Sequence, residues 1–396
     1  MFFNLNKKRV NKRYVPKLRF RGFVDEWIRE PFSNLVDFAR SGGTPKSGEH
    51  KYYQNGTIPF LSINDLNQKY LSSCSKKITN LAIEETSTFI FEKNNILLSI
   101  YATIGEVAIN KIDVALPQSI LGIKIKNNIN LEYFYYLLLA NQKKFVKNSQ
   151  IGSQPNLSLK IVNNIQFQFS TNLKEQEKIS KFLNLLDKQI SLSENKLKLT
   201  ELKMKDFIKK TNVESSKLMI KDIAIVIDGF PFKQTSYVEN GIPIYTISNI
   251  GDNKFIDTIE YKYTNIEIDS KYQLNKGDIF ASLTGEKGFK SLLYQNENKN
   301  YINQRTIKIE IKNNYSPELL QFWCFKNKRK VSLLATGSQK NISKKDVENF
   351  LVPKCTKENI NLSKIFFNYI KNVQLIQDKL HVLNKRKTFF LKNLFI

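Results

Sequence analysis

Along residues 183–207 apolar side chains step by three and four: Leu183, Leu186, Ile190, Leu197, Met204 and Phe207, with Ser193 and Thr200 filling the gaps. That spacing keeps one stripe on one side of an α-helix, the seam of a coiled coil. A shift of 183 residues meets Phe366, Tyr369, Val373, Ile376, Leu380, Leu383, Lys387 and Phe390, the same seam position for position. From about 174 to 210 and from about 357 to 396 there is no Gly or Pro. Each stretch therefore reads as one unbroken helix of roughly 37 residues, about 55 Å long. Ser193, Thr200 and Lys387 weaken pairing of either helix with a copy of itself. Antiparallel pairing of the two helices with each other, polar positions against apolar neighbours, is the expected closed arrangement.

Elsewhere the pattern shortens. Ile58–Ile63, Ile96–Ile100 and Leu121–Ile125 are brief β-branched or apolar runs bounded by Asn, Gly and Pro, which predicts strands. Ile242–Ile247, Ile279–Leu283 and Ile307–Ile311 repeat them. Amphipathic helices are predicted near 131–148 and near 317–334.

These likenesses form one duplication. Gly152-Ser153-Gln154, Asn156 and Ser158 recur 185 positions on as Gly337-Ser338-Gln339, Asn341 and Ser343. Ile58-Pro59 faces Ile242-Pro243 at offset 184, and Asn95, Ser99 and Gly105 face Asp278, Ser282 and Gly288 at offset 183. Gln118 faces Gln304, and Gly43-Thr44-Pro45 faces Gly229-Phe230-Pro231, both at offset 186. So long a period means two similar domains in tandem, not a solenoid. The predicted fold is α+β: two tandem, similar mixed α/β domains, each followed by a long helix. The two helices pair as an antiparallel coiled coil with pseudo-two-fold symmetry. The expected divisions are a basic arm at 1–22, a first domain at 23–173, a central helix at 174–211, a second domain at 212–356 and a C-terminal helix at 357–396. The polar stretch 211–217 is the expected hinge into the second copy.

Composition adds a partner. With 41% hydrophobic and 25% charged residues in a chain of 396, the protein is globular. Its net charge of +26 attracts polyanions, chiefly nucleic acid. Lys far outnumbers Arg, so AT-rich coding bias is the competing explanation of that charge. Cys74, Cys324 and Cys355 suggest a reducing interior without a disulfide framework. The first 21 residues hold eight basic side chains, but no apolar segment of a secretory signal follows. No run of about 18 apolar residues is present. A soluble, cytoplasmic protein with no membrane partner is expected.

Catalytic signatures are sparse. His50 and His381 have no Cys, His or carboxylate at metal-ligand spacing. There is no phosphate-cradling Gly-rich loop and no Asn/Asp-Pro-Pro-aromatic tetrapeptide for holding a flipped base. Asp278 with Glu286-Lys287 suggests a metal-dependent nuclease, but Asn95 and Thr103-Ile104 replace them in the first copy. No catalytic residue, metal site or cofactor of the chain's own is expected. A standalone metal-dependent nuclease around Asp278 and a structural coiled-coil adaptor remain the alternatives to a DNA-binding role.

The layout resembles the specificity subunit of type I restriction-modification systems. The resemblance rests on Pro16-Lys17-Leu18-Arg19-Phe20-Arg21-Gly22-Phe23 through Trp27, on the Ile-Pro strands, on the repeated Gly-Ser-Gln elements, and on the helix start Glu175-Gln176-Glu177-Lys178-Ile179. It implies two target-recognition domains, each reading half of a split site in double-stranded DNA, with paired helices setting the spacing. It implies a non-catalytic subunit that assembles with two adenine methyltransferase subunits and with endonuclease/translocase subunits. S-adenosylmethionine, ATP and Mg are then expected on those partners. The second helix starts Lys357-Glu358-Asn359-Ile360, a departure from the first that puts equal partner contact in doubt.

Major-groove reading needs amides for adenine and Arg or Lys for guanine, while Lys, Ser and Thr hold phosphates. The candidate contacts in the first copy are Arg40, Thr44, Lys46, Lys51, Gln54, Gln118, Ser153, Gln154 and Asn156. In the second they are Lys233, Gln234, Thr235, Lys287, Lys290, Gln304, Arg305, Ser338, Gln339, Lys340 and Asn341. The repeated Asn156 and Asn341 are expected to cap or brace loops.

Overall fold

A computed structural model describes residues 3–5, 14–149, 155–213, 218–250, 261–283, 289–312, 314–334 and 341–395. The chain divides into two compact units, residues 1–192 with 381–396, and residues 193–380.

In the first unit a five-stranded sheet has the order Val36–Ser41, Ile120–Ile125, Ile96–Ser99, Val107–Asn110, Tyr70–Leu71. Neighbours are antiparallel except the last pair. Ile96–Ser99 is buried along its length because both faces are covered. Ile96 and Leu98 enter a core with Tyr133 and Phe134, and Leu97 enters another with Phe91 and Ala108. That double burial explains a continuous apolar run where a half-exposed strand would alternate. A four-stranded sheet follows the order Lys76–Ile78, Ile58–Phe60, Val114–Ala115, Ile90–Phe91. Ile28–Pro31 pairs antiparallel with Gln166–Phe169.

The second unit repeats this wiring. Its larger sheet runs Ala224–Asp228, Thr306–Ile311, Ile279–Ser282, Ser291–Leu293. Its smaller sheet runs Lys262–Thr264, Ile242–Tyr245, Tyr301–Ile302, and Leu218–Met219 pairs with Leu351–Val352. Ile279 and Ala281 again enter one core and Phe280 another. The fold is thus mixed α/β and duplicated.

Two details differ from the sequence reading. Gly42, not Gly43, is the structural counterpart of Gly229. A Cβ on Gly42 would lie 1.8 Å from the Leu116 carbonyl oxygen, and one on Gly229 would lie 1.9 Å from that of Asn303. Only glycine permits either approach. The predicted single helices near 131–148 and 317–334 are each broken in two. Leu131–Ala140 and Gln142–Asn148 meet at Asn141, and Pro317–Lys326 and Lys328–Ser332 meet at Asn327. The buried amides Asn141 and Asn327 donate to carbonyls four residues back, Leu137 at 2.8 Å and Trp323 at 3.0 Å. Asn backbones leave the α region readily, so the amide ends one helix and starts the next.

Leu173–Lys210 and Lys357–Leu394 are unbroken helices of 38 residues each. In the first unit the start of the former runs antiparallel to the end of the latter, with Phe182 on Phe390 at 4.7 Å and Asp187 on Lys387 at 2.7 Å. In the second unit Phe207 lies 5.7 Å from Tyr369. Leu183, Leu186, Ile190, Ser193, Met204, Phe366, Val373, Ile376 and Leu383 are buried; Leu197, Thr200, Phe207, Tyr369, Leu380, Lys387 and Phe390 are half-buried. Each fully buried Leu, Ile or Phe contributes about 1.5–3 kcal/mol. Among the described residues no helix is long and apolar enough to cross a membrane.

Candidate nucleic-acid interface

In the first unit the strand Val36–Ser41 delivers Arg40 to an exposed edge, its guanidinium 4.8 Å from the Phe89 ring centre. The chain then passes Gly42 against Leu116, which brings Thr44 to the turn holding Gln118. The Gln118 backbone N–H donates to the Thr44 hydroxyl at 3.4 Å. Arg40, Thr44, Lys46 and Gln118 are all exposed around this junction. Lys51 and Gln54 belong to a different turn. The Lys51 ammonium donates to Glu85 at 2.5 Å and sits 4.8 Å from the Tyr52 ring, and the hydrogen bond to Glu85 holds it above the ordinary lysine range. The Gln54 N–H donates to the His50 carbonyl at 2.8 Å. Asn156 is half-buried and bridges Tyr101.

The second unit repeats the junction. Phe230 bridges Asn303, and the Phe230 N–H donates to Ile302 at 2.9 Å, so the loop after Gly229 adjoins the turn with Gln304 and Arg305. Gln304 and Arg305 are exposed, as are Lys233, Gln234 and Thr235 at the short turn that follows. Lys290 turns inward, its ammonium donating to the Ile250 carbonyl at 3.3 Å. Asn341 is exposed beside Ile342, whose N–H donates to Leu283 at 2.7 Å. Ser153, Gln154, Lys287, Ser338, Gln339 and Lys340 lie outside the described residues.

Asp278 is buried and occupied. Its carboxylate accepts from the Asn275 N–H at 2.7 Å and lies 3.7 Å from the Lys308 ammonium. Burial pushes its pKa up. Lys308 also pairs with Glu310 at 2.9 Å and donates to the Gln273 carbonyl at 3.0 Å. Glu286 lies outside the described residues. Among the described residues no group of three or more His, Cys, Asp or Glu is placed to hold a metal.

Three features were not foreseen from sequence. First, Glu175 at the start of the central helix is fully buried in a cage of donors. Arg19 binds both its oxygens at 2.7 and 2.9 Å, Ser170 donates at 2.6 Å and Trp27 at 3.2 Å. The Arg19 and Trp27 of the opening segment thus act on the helix start. Its counterpart in the second helix, Glu358, is exposed. Second, Lys69 reaches Glu132, Asn184 and the Tyr136 hydroxyl, and Tyr136 donates to Asp187 at 2.6 Å. Burial lowers the Lys69 pKa against the pull of Glu132. Third, a groove of about 680 Å³ runs between Phe182, Leu185 and Gln189 on one helix and Val382, Lys385, Arg386 and Phe389 on the other. Leu185 is 56% and Phe389 53% exposed. The signal was a second period of seven on the outer face, in Leu185, Leu192 and Leu199 and in Leu375, Val382 and Phe389.

The chain is similar to known proteins in sequence and in fold. Residues 30–202 match the type I restriction modification DNA specificity domain. The type I restriction enzyme MjaIX specificity subunit of Methanocaldococcus jannaschii is 32% identical over 220 residues, 54% of this chain and 47% of that protein. The EcoR124I/EcoR124II specificity subunit of Escherichia coli is 23% identical over 212 residues, 52% of this chain and 51% of that protein. The chain thus spans about half the length of the curated relatives it matches. The type I restriction-modification S subunit of M. genitalium shares the fold, with a TM-score of 0.67 at 15% identity over 96% of this chain and 99% of that one. A second structure, of a type I restriction-modification system, gives a TM-score of 0.52 at 11% identity over 92% of this chain and 96% of that one. By these likenesses the chain carries a type I restriction modification DNA specificity domain over residues 30–202 and shares the fold of type I S subunits.

Proposed function

We propose that this chain reads a bipartite site in double-stranded DNA, one half with each unit, and docks methyltransferase subunits without catalysing a reaction itself. The duplicated junction carries this reading: each unit repeats one scaffold but offers different exposed side chains at its end. Arg40, Thr44, Lys46 and Gln118 stand in the first, and Lys233, Gln234, Thr235, Gln304 and Arg305 in the second. One scaffold with two sets of donors suits two different half-sites. The net charge of +26 supplies the sequence-independent attraction to phosphate. The apolar groove lined by Leu185, Val382 and Phe389 supports the docking of a partner helix, because monomeric surfaces rarely leave such stripes open. Endonuclease/translocase subunits would join the assembled complex.

Methylation mapping of DNA from cells that express this chain with adenine methyltransferase subunits tests the reading. The expected result is one split motif, with Arg40→Ala relaxing one half and Arg305→Ala the other. Methylation that follows no split motif would sink it.

A further inference from the structure

Away from the recognition junction, the first unit holds a concavity of about 570 Å³ whose polar lining is Arg29, Lys144, Asn148, Asn164, Gln166 and Gln168. The strand pair sets its floor. Arg29 stands opposite Gln168, and Pro31 opposite Gln166, so period-two alternation sends these outward while Phe167 and Phe169 enter the core. Helix Gln142–Asn148 adds Lys144 and Asn148 one turn apart, and helix Leu159–Asn164 ends there in Asn164. The Lys144 ammonium is half-buried, donates to the Gln166 carbonyl at 3.1 Å and lies 5.6 Å from the Phe167 ring centre. The side-chain amides of Asn148 and Asn164 donate to carbonyls of their own helices. Arg29 and Gln168 have no side-chain hydrogen bond or ion pair among the described residues, and no carboxylate lines the concavity.

Two cations therefore face one space without a counter-charge. Burial and the neighbouring Arg29 both pull the Lys144 pKa down, which marks the arrangement as costly when empty. In the second unit Leu351, Pro353 and Leu334 stand at the positions of Gln166, Gln168 and Asn148, while Lys330 stands at that of Lys144, so the amides set the first unit's concavity apart. A guanidinium fork, an ammonium and a free amide suit a tetrahedral oxyanion.

We propose that this concavity seats a phosphate group, gripped by Arg29 and Lys144 with the Gln168 amide as third donor. Two sources carry that chemistry, the backbone of bound DNA and a free phosphate-bearing small molecule. The first rests on the DNA-binding reading above and the second does not.

The test uses the full chain and its Arg29→Gln/Lys144→Gln variant in two assays. In the first, the thermal midpoint is read in inorganic phosphate and in chloride at equal ionic strength. Phosphate stabilises most proteins by exclusion from their surface, so the readout is the difference between the two chains. The wild-type chain is expected to gain more from phosphate than the variant, and Arg29→Lys/Lys144→Arg to keep the gain. In the second, affinity for duplex DNA is followed against salt, where each phosphate contact contributes about 0.9 to the logarithmic slope. A variant slope shallower by about 0.9 assigns the seat to DNA. A phosphate effect with an unchanged slope assigns it to a free ligand. Equal behaviour of the two chains in both assays overturns the proposal. A wild-type chain that binds no DNA defeats the functional reading alone, and the phosphate assay then decides the seat. If the double variant is unfolded in chloride, Lys144→Gln alone gives the same readouts.

Discussion

Removing the Glu175 carboxylate leaves the Arg19 guanidinium buried without its partner. Breaking one side of such a pair costs about 3–5 kcal/mol, whereas the intact pair roughly balances its own desolvation. Glu175→Gln is therefore expected to lower the denaturant midpoint of the first unit by that order, and Glu358→Gln to leave the second unit's midpoint where it is. Circular dichroism and tryptophan fluorescence read both, since Trp27 touches the first site and Trp323 lies in the other unit. Glu132 makes a pH-dependent contribution. Burial alone would raise its carboxyl, but the hydrogen bonds from Lys69 and Tyr70 win and hold it below the ordinary glutamate value of 4.5. A depressed carboxylate contributes stability that is complete above its unfolded pKa and is lost as pH falls through the folded one. Urea midpoints measured between about pH 6 and pH 3 should fall for the wild-type chain, and fall less for Glu132→Gln. Parallel curves would show that Glu132 is not the group responsible.

The helices raise the question of what a polar residue does in a seam. Lys387 occupies an apolar position of the heptad, yet it meets Asp187 across the helix pair of the first unit, both side chains mostly buried. Lys387→Met and Asp187→Asn are each expected to destabilise that unit, and the double-mutant cycle to give a coupling of about 0.5–3 kcal/mol. No measurable coupling would mean that the pair tolerates either residue alone. Much of this scale was legible in the sequence. Heptads located both helices because burial there depends on residues three and four apart. The central strands Ile96–Ser99 and Ile279–Ser282 were legible because a short continuous apolar run marks burial on both faces. The breaks at Asn141 and Asn327 were not, since an Asn inside an apolar run looks like one polar position of a continuing helix. Their recurrence at offset 186 was the available signal. The Lys69 network and the concavity beside Lys144 join residues far apart in sequence, and no local pattern reports such contacts. The candidate contacts were placed more unevenly: Arg40, Thr44 and Gln118 converge, while Lys51 and Lys290 serve internal bonds.

For the whole molecule, net charge sets the response to salt. DNA affinity is expected to fall steeply between about 50 and 200 mM salt, by roughly 10³–10⁵ if six to ten phosphates are contacted. A salt-insensitive affinity, read by fluorescence anisotropy, would favour an adaptor whose charge reflects coding bias. Phe395 bears on the molecule in another way. It packs in the first unit against Trp27 at 6.3 Å and Tyr133 at 5.4 Å, with Leu394 buried beside it. Phe395→Ala should therefore cost about 3–5 kcal/mol in the first unit, although the residue is far in sequence from the rings it covers. Synthesis proceeds from the N-terminus at about 5–20 residues per second, so Trp27 and Tyr133 wait tens of seconds for the ring that covers them. On the ribosome this unit waits for a segment that is made only after residues 193–380. A nascent chain stalled before residue 381 should leave that core open to protease, whereas one stalled after residues 381–396 have emerged should resist.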